Sequence, residues 1–238
     1  MTILTRPYIQ TSNAHLLPID MKDPSLVLYL PLWYPHGDMT GSTIYSYDLY
    51  HLSCTVSEAT WGTKGRTFDG VDDYINVPHH ASQLLTTGGT IEAWIKATTA
   101  GEGDIGFIVD KSTGYTGVVG YALILLKSVG LYYYKVQINN GVEVYSAATS
   151  IGVWQHIVST WDATGLVTHY VDGSVSGTPT ISADPVGITT TNVLRIGNPV
   201  STTDFTFNGI IGEVLIYNRA LSAGEIAHNY QSSKWLYK

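Results

Sequence analysis

The strongest constraint on the fold is a recurring alternation of apolar side chains along short segments. In TIEAWIKA (90–97), Ile91 and Ile95 fall on one face of the segment, and Glu92 falls on the other. Successive side chains of a β-strand point to opposite faces, so this pattern predicts strands with one face in a core. Three further segments alternate in the same way: SLVLYLPLW (25–33), YALILLK (121–127) and LYYYKVQI (131–138).

Turn signals containing glycine separate these segments. Asn139-Asn140-Gly141 stands between two predicted strands, and Asp162-Ala-Thr-Gly165 forms the loop of a predicted hairpin within 154–174. The 24 glycines and 17 tyrosines, with only 13% charged residues, favour strands joined by tight turns. We therefore predict an all-β fold, an antiparallel two-sheet β-sandwich whose long connections favour Greek-key or jelly-roll wiring.

One short helix is predicted near the C-terminus. Ser222 can cap its first turn, and Glu225 completes a capping box. Leu221 and Ile226 occupy the positions of a hydrophobic staple. From this cap pattern alone, we expect a helix of about two turns.

The first 24 residues differ from the rest of the chain. They lack periodicity, and Pro7, Pro18 and Pro24 interrupt them. We predict an extended arm over residues 1–24 and one β-sandwich domain over residues 25–238. The arm either packs along the domain or reaches a neighbouring copy, and the second arrangement would produce a homo-oligomer.

Composition argues against two classes of partner. The net charge is −7 and the 12 basic residues are scattered, whereas a nucleic-acid binder needs clustered Lys and Arg to neutralise phosphates. No run of about 18 apolar residues indicates a membrane span. The N-terminus lacks the apolar core of a signal peptide, and the single cysteine, Cys54, cannot form an internal disulfide. These features fix no compartment, and an extracellular or virion-surface location is a working hypothesis.

The segment FDGVDDYINV (68–77) carries three carboxylates around one glycine. Asp-Gly favours a turn with positive φ, and an aspartate side chain readily accepts hydrogen bonds from backbone N–H groups two residues on. Turn chemistry is therefore the favoured interpretation of Asp69, Asp72 and Asp73. A structural cation held by carboxylate oxygens is the main alternative, and a catalytic cluster is the remaining one.

Four segments together resemble the laminin-G-like jelly-roll domains of the concanavalin A-like lectin/glucanase superfamily. GRTFDGVDDYINVP is similar to the FDG-x-DDY-x-x-VP signature, and TIEAWIKA is similar to a T-x-E-x-W strand of these domains. GVWQHIVSTWDATGLVTHYVDGS resembles their W-x-H … YVDG hairpin, and IIGEVLIYNRALSAGEIAHNY resembles their closing strand and helix. The resemblance covers about residues 25–230.

The resemblance implies a two-sheet jelly roll, a carbohydrate-binding or adhesive role, and a structural calcium ion. The residues that we assign to calcium are Asp48, Asp72 and Asp73. The sequence departs from the family pattern at Gly212-Glu213, where Asp usually precedes Glu, and at 46–51, where D-x-S-G-N-G-x-H is usual.

Enzymatic activity is not expected. Laminarinase-type members place acids at alternate residues of one strand, so that both carboxylates face one cleft. No strand here carries such a pair, because Glu92 and Glu213 each stand alone. YYYKVQINNG (132–141) is similar to a strand of alginate lyases. However, Gln155 and His156 point to opposite strand faces, whereas a general base and its partners must share one pocket.

The histidines suggest neither zinc nor a catalytic triad. His79 and His80 are adjacent, so their side chains diverge on a strand, and zinc would need two further ligands nearby. His156 and His169 lie on the two strands of one predicted hairpin, and we predict a cross-strand polar pair.

The aromatic side chains of the segment 33–51 are the remaining indication of function. Sugar rings stack on exposed aromatic faces, and loops commonly carry binding residues. The candidate ligand-binding residues of this region are Trp33, Tyr34, Tyr45, Tyr47, Tyr50 and His51. We predict a non-catalytic recognition module that binds a glycan or a protein surface. The alternative is a structural protein, such as a virion decoration or tail component or a surface-layer subunit, which assembles through residues 1–24.

Overall fold

The computed structural model describes residues 19–35, 37–114, 119–141, 143–182, 188–202 and 204–238. Short strands fill most of this length, and one helix follows them. The strands are β1 Leu26–Leu30, β2 Thr43–Tyr45, β3 Ser53–Ser57, β4 Thr60–Gly62, β5 Gly65–Asp69, β6 Tyr74–Val77, β7 Gly89–Ala97, β8 Ile105–Ser112, β9 Gly120–Ser128, β10 Leu131–Ile138, β11 Val144–Tyr145, β12 Gln155–Trp161, β13 Leu166–Val171, β14 Ser174–Val175, β15 Thr180–Ile181, β16 Leu194–Ile196 and β17 Asn208–Tyr217. Helix α1 is Ala223–Tyr237, and Gly37–Thr40, Ala81–Gln83 and Glu102–Asp104 are short 3-10 helices.

The strands form two antiparallel sheets. Sheet A has the order β14-β13-β12-β7-β17-β5-β4, with β1 beside β17 and β15 beside β13. Sheet B has the order β11-β10-β9-β8-β16-β6-β3-β2. The non-sequential neighbours are the long crossovers of a jelly roll, so the predicted all-β sandwich is confirmed.

The core lies between the two sheets and is built by the alternation seen in the sequence. Ile91, Ala93 and Ile95 of β7 belong to one buried cluster, which also holds Leu123 and Leu125 of β9. Burial of an aliphatic side chain contributes about 1.5–3 kcal/mol, so the inner faces supply most of the stabilising free energy.

Helix α1 covers the outer face of sheet A. The predicted capping box is confirmed, because the Ser222 side chain accepts from the Glu225 N–H and the Glu225 side chain accepts from the Ser222 N–H. The helix has 15 residues, about four turns rather than the predicted two. The extra turns form because Ser233 accepts a 2.7 Å hydrogen bond from the Trp94 indole, and Tyr237 stacks on the same indole.

The departure from the family pattern at residue 212 has a steric reason. A Cβ atom at Gly212 would collide with the ring of Tyr237. A bulge in β17 between Ile211 and Glu213 places this glycine beneath the helix. Glycine therefore permits the close approach of the last helical turn, and an aspartate there would not fit.

Residues 19–24 pack against the sandwich, next to α1. Ile19 is buried in a cluster with Tyr217 and Leu221, and the Asp23 carboxylate pairs with Arg219 at 3.2 Å. The predicted arm therefore contacts the domain over its last residues. Its first 18 residues lie outside the described residues, so assembly through the arm stays a prediction.

Candidate functional site

The outer face of sheet B carries a row of mainly polar side chains. Residues in consecutive register, one from each of seven neighbouring strands, form this row: Thr43, Thr55, Asn76, Arg195, Asp110, Ala122 and Gln137. Their strand neighbours Ile75 and Ile196 lie in the core, so the row faces outward. The row is assembled from strands far apart in sequence, and no local motif marks it.

The loop after β16 covers the middle of this face. The backbone N–H of Val200 donates to Asp110 Oδ2 at 2.7 Å, and Phe205 packs on the small cluster of Phe107, Ala122 and Ile124. Asp110 and Ala122 are buried as a result. The row therefore remains open between Thr43 and Arg195.

We call the open part the sheet-B surface, which comprises Tyr45, Thr55, Ser57, Tyr74, Asn76 and Arg195. Thr55 is exposed, and the other five side chains are half-buried. Hydroxyl, amide, guanidinium and aromatic groups thus lie side by side on a rigid sheet. Such a mixture can both hydrogen-bond sugar hydroxyls and stack on a sugar ring.

The predicted aromatic residues separate into two groups. Tyr45 and His51 stack with ring centroids 5.0 Å apart at the edge of the sheet-B surface, and His51 is exposed. Tyr50, the residue before His51 in the sequence, is half-buried, and its ring centroid lies 4.4 Å from that of His80. These three side chains remain accessible to a ligand in full or in part.

Trp33 and Tyr34 do not fit the predicted ligand-binding role, because each is only 5% exposed. The Trp33 indole donates to Glu213 Oε2 at 3.3 Å, and Tyr34 packs between Trp33 and Tyr47. Tyr47 is half-buried against the core. The chain continues inward after β1, so the residues that follow it fill the interior rather than a surface loop.

The segment FDGVDDYINV forms the turn that its sequence predicts. The Val71 N–H donates to Asp69 Oδ1 at 2.8 Å, and the Asp69 N–H donates to Asp73 Oδ2 at 2.8 Å. Gly70 adopts φ 85°, a conformation that favours glycine. Asp69 and Asp73 therefore hold the turn that leads into β6.

Asp72 and Asp73 also meet a third carboxylate, that of Glu58. One ligand oxygen from each of these residues lies within 4.8 Å of the others. Burial and the nearby negative charges of Asp69, Asp72 and Glu58 raise the pKa of Asp73. A hard cation such as calcium prefers carboxylate oxygens and would relieve this repulsion, so this donor set fits calcium.

Asp48 does not join the carboxylate cluster that was predicted for it. Its Oδ2 accepts from the Tyr29 N–H at 3.0 Å, and its Oδ1 accepts from the Tyr50 N–H at 2.8 Å. The carboxylate therefore satisfies backbone donors in the loop between β2 and β3. Glu58 takes its place in the cluster, because β3 and β6 are neighbours and Ser57 pairs with Tyr74.

A cavity of about 540 Å³ lies beside this cluster. It is lined by Gly70, Val71, Asp72, Thr99, Gly101, Glu102, Asp204 and Asn208. The lining carries three carboxylates and no basic side chain, so the cavity favours cations over anions.

The predicted pairing of His156 with His169 is wrong. His156 Nε2 lies 2.8 Å from Glu92 Oε1 on the outer face of sheet A, beneath α1. His169 Nδ1 lies 2.7 Å from the Ser159 hydroxyl on the inner face. His169 pairs with Ser159 and so shares its face of the sheet. Ser159 lies three positions after His156 on β12, and successive side chains of a strand alternate between faces, so the two histidines point to opposite faces.

Five side chains of the kind used in acid–base or nucleophilic catalysis are covered. Glu92, His156 and Glu213 are each at most 1% exposed beneath α1, and Ser159 is fully buried between the sheets. Tyr134 points inward, and its hydroxyl donates to Gln155 Oε1 at 2.6 Å. None of these side chains reaches a surface where a polymer could approach.

The family described as concanavalin A-like lectin/glucanases superfamily matches residues 69–227, about two thirds of the chain. The chain belongs to this superfamily. No curated protein matches the sequence. Within the described residues, the one long helix is too short and too polar to cross a membrane.

Solved structures share this superfamily fold at low sequence identity. Trypanosoma rangeli sialidase, in complex with 2,3-difluorosialic acid, has a TM-score of 0.67 and 18% identity, over 90% of this chain and 34% of the sialidase chain. The binding domain of botulinum neurotoxin DC, in complex with rat synaptotagmin II, has a TM-score of 0.58 and 14% identity over 87% of this chain. Botulinum neurotoxin type C, whose cell entry depends on two ganglioside molecules, has a TM-score of 0.60 and 12% identity. The chain spans about a third of the sialidase and half of each toxin chain.

Proposed function

We propose that this chain is a non-catalytic recognition domain that binds a glycan on the sheet-B surface. The observation that carries the proposal is the open polar row of sheet B, given that α1 covers the opposite face of the sandwich. Rigid strands present hydroxyl, amide and aromatic groups in fixed register, which limits the entropy lost when a sugar binds. Membership of a lectin/glucanase superfamily supports this assignment.

The neighbouring structures add support at the level of ligand class. Two of them are associated with a sialic acid analogue and with gangliosides, which are carbohydrate ligands. A non-catalytic role is supported by the burial of Glu92, His156 and Glu213. The full polar row of sheet B contains one carboxylate, Asp110, which lies outside the sheet-B surface and is buried beneath the loop after β16.

The test is a glycan array probed with the full chain, with and without calcium. We expect binding to a subset of glycans and loss of that binding in Thr55→Trp, whose indole would occupy the sheet-B surface. Thr67→Trp is the matched control, because Thr67 is an exposed strand residue of sheet A. Absence of binding to any glycan, or equal loss in both variants, would contradict the proposal.

We further propose that Glu58, Asp72 and Asp73 hold a structural calcium ion. Three carboxylates in one group supply part of the six to eight oxygens that calcium takes, and backbone carbonyls and water would supply the others. Calcium at this position would tie the end of β3 to the start of β6, the two strands that carry Thr55 and Asn76.

A further inference from the structure

Arg195 lies on the sheet-B surface, and no carboxylate of the described residues comes within ion-pair distance of it. Of the three arginines in the described residues, Arg219 pairs with two carboxylates, and Arg66 is buried against three backbone carbonyls. Arg195 is half-buried, and within the described residues it makes no ion pair within 4.0 Å. Its register partner Asp110 interacts with Arg195 electrostatically but not at ion-pair distance, and this buried carboxylate accepts from the Val200 N–H.

Three contacts hold the Arg195 guanidinium in place. Its Nε donates to Asn76 Oδ1 at 3.0 Å, and its Nη1 donates to the Pro199 carbonyl at 2.9 Å. The Tyr74 ring lies beneath it, with the central carbon 4.4 Å from the ring centroid. A guanidinium has five N–H donors, so about three remain for a ligand, including both on Nη2. The side chain is therefore fixed before any anion arrives.

We propose that Arg195 binds the carboxylate of an acidic sugar, such as a uronic or sialic acid unit. This inference rests on the proposed glycan-binding function and names its ligand class. A guanidinium edge matches a carboxylate in two parallel hydrogen bonds, and the pair is stronger than a hydrogen bond between neutral groups. The hydroxyl groups of Thr55 and Ser57 lie on β3, on the far side of β6 from Arg195, and suit the neutral hydroxyls of the same sugar.

The charge around Arg195 favours a sparsely charged glycan over a polyanion. Of the other basic side chains on the strands of sheet B, Lys127 and Lys135 are paired with Asp104 and Glu143, and Lys111 is buried. The chain carries a net charge of −7, which repels a densely sulfated polymer. One unpaired guanidinium on the surface therefore matches one carboxylate per binding site.

The experiment compares acid and ester forms of the same glycan. An array that includes sialylated and uronate-containing glycans, their methyl esters and heparin is probed with the full chain, and the tightest glycan pair is then titrated by calorimetry. We expect the acid to bind about 10- to 100-fold more tightly than its methyl ester, the range typical of a charge-assisted hydrogen-bond pair.

Variants assign this preference to Arg195. Arg195→Gln should bind the acid and the ester equally, and Arg195→Lys should retain only part of the preference because it lacks the planar fork. Lys64→Gln removes the same charge from an exposed turn of sheet A and should behave as wild type. The thermal unfolding midpoint of each variant checks its fold.

Two outcomes separate the inference from the proposed function. If wild type binds neutral glycans, or acid and ester equally, the acidic-sugar inference is wrong and the glycan-binding function stands. If no glycan on the array binds, the function itself fails. A preference for heparin over isolated carboxylates would also overturn the inference. Should Arg195→Gln not fold, the acid-to-ester ratio of wild type and of Asn76→Ala decides, and a ratio near one in wild type overturns it.

Discussion

Replacing Glu213 with glutamine should stabilise the protein at neutral pH. The pKa of Glu213 is raised to about 8, because burial and the nearby Glu92 raise it by more than the hydrogen bonds from Trp33 and Tyr29 lower it. Its Oε2 accepts from both of those donors, while its Oε1 is buried without a partner among the described residues. Glutamine has the same shape as the protonated acid and carries no charge.

The magnitude follows from linkage between protonation and folding. The carboxyl pKa rises from an ordinary value of 4.5 to about 8 on folding. The folded state therefore binds the proton more tightly, so this group contributes its full stability below pH 4.5 and loses it as pH rises towards 8. The loss is about 1.4 kcal/mol per pH unit, or roughly 3 kcal/mol at pH 7. Glutamine avoids the loss, so the variant should gain up to that amount.

The assay is urea unfolding of wild type and Glu213→Gln at several values between pH 4 and pH 8.5. The difference in unfolding free energy should be near zero at pH 4 and should grow with pH. Glu92→Gln is the matched control, because Glu92 already accepts from His156 and Asn229. A glutamine can satisfy only one of those donors, so this control should destabilise by about 1–3 kcal/mol. A Glu213→Gln variant that destabilises at pH 7, or shows no pH trend, would refute the reasoning.

Two further predictions concern the β9–β10 hairpin and the acidic cluster. Val129 is 99% exposed and has φ 51°, and Asp172 has a similar φ before Gly173 in another hairpin. Asparagine adopts this left-handed conformation more readily than valine, so Val129→Asn should raise the unfolding free energy by about 1 kcal/mol, measured by thermal or urea unfolding. No gain would mean that the valine is unstrained. Calcium should raise the unfolding temperature of the wild-type protein. Asp72→Asn should weaken calcium binding about tenfold, measured by calorimetry, whereas the control Asp20→Asn should not. Equal calcium affinity in both variants would place the ion elsewhere.

Local chemistry made part of this fold predictable. The turn at Asp69-Gly70 and the helix cap at Ser222 each depend on residues close in sequence, and the structure shows both. The opposite orientation of Gln155 and His156 follows from strand geometry alone, and their separate partners confirm it. The helix is longer than its cap indicates, because contacts with β7 stabilise its last turns.

The candidate site was less predictable, because strand order creates it. Thr55, Asn76 and Arg195 are neighbours only because β3, β6 and β16 are adjacent in sheet B, and their sequence separation conceals this. Trp33 and Tyr34 suggested a binding loop by composition, but the chain turns inward after β1 and buries them. Aromatic residues supply large contact surfaces both to a core and to a ligand. The sequence of an aromatic-rich segment does not say which of the two its side chains face.

The central claim is that the sheet-B surface binds the glycan, and amide chemical-shift mapping tests it most directly. Isotope-labelled full chain is titrated with the glycan selected on the array. The largest shifts should fall in β3, β6 and β16, around Thr55, Asn76 and Arg195, with small shifts in α1. Shifts concentrated in α1 and residues 19–24, with β3 and β6 unchanged, would contradict the claim.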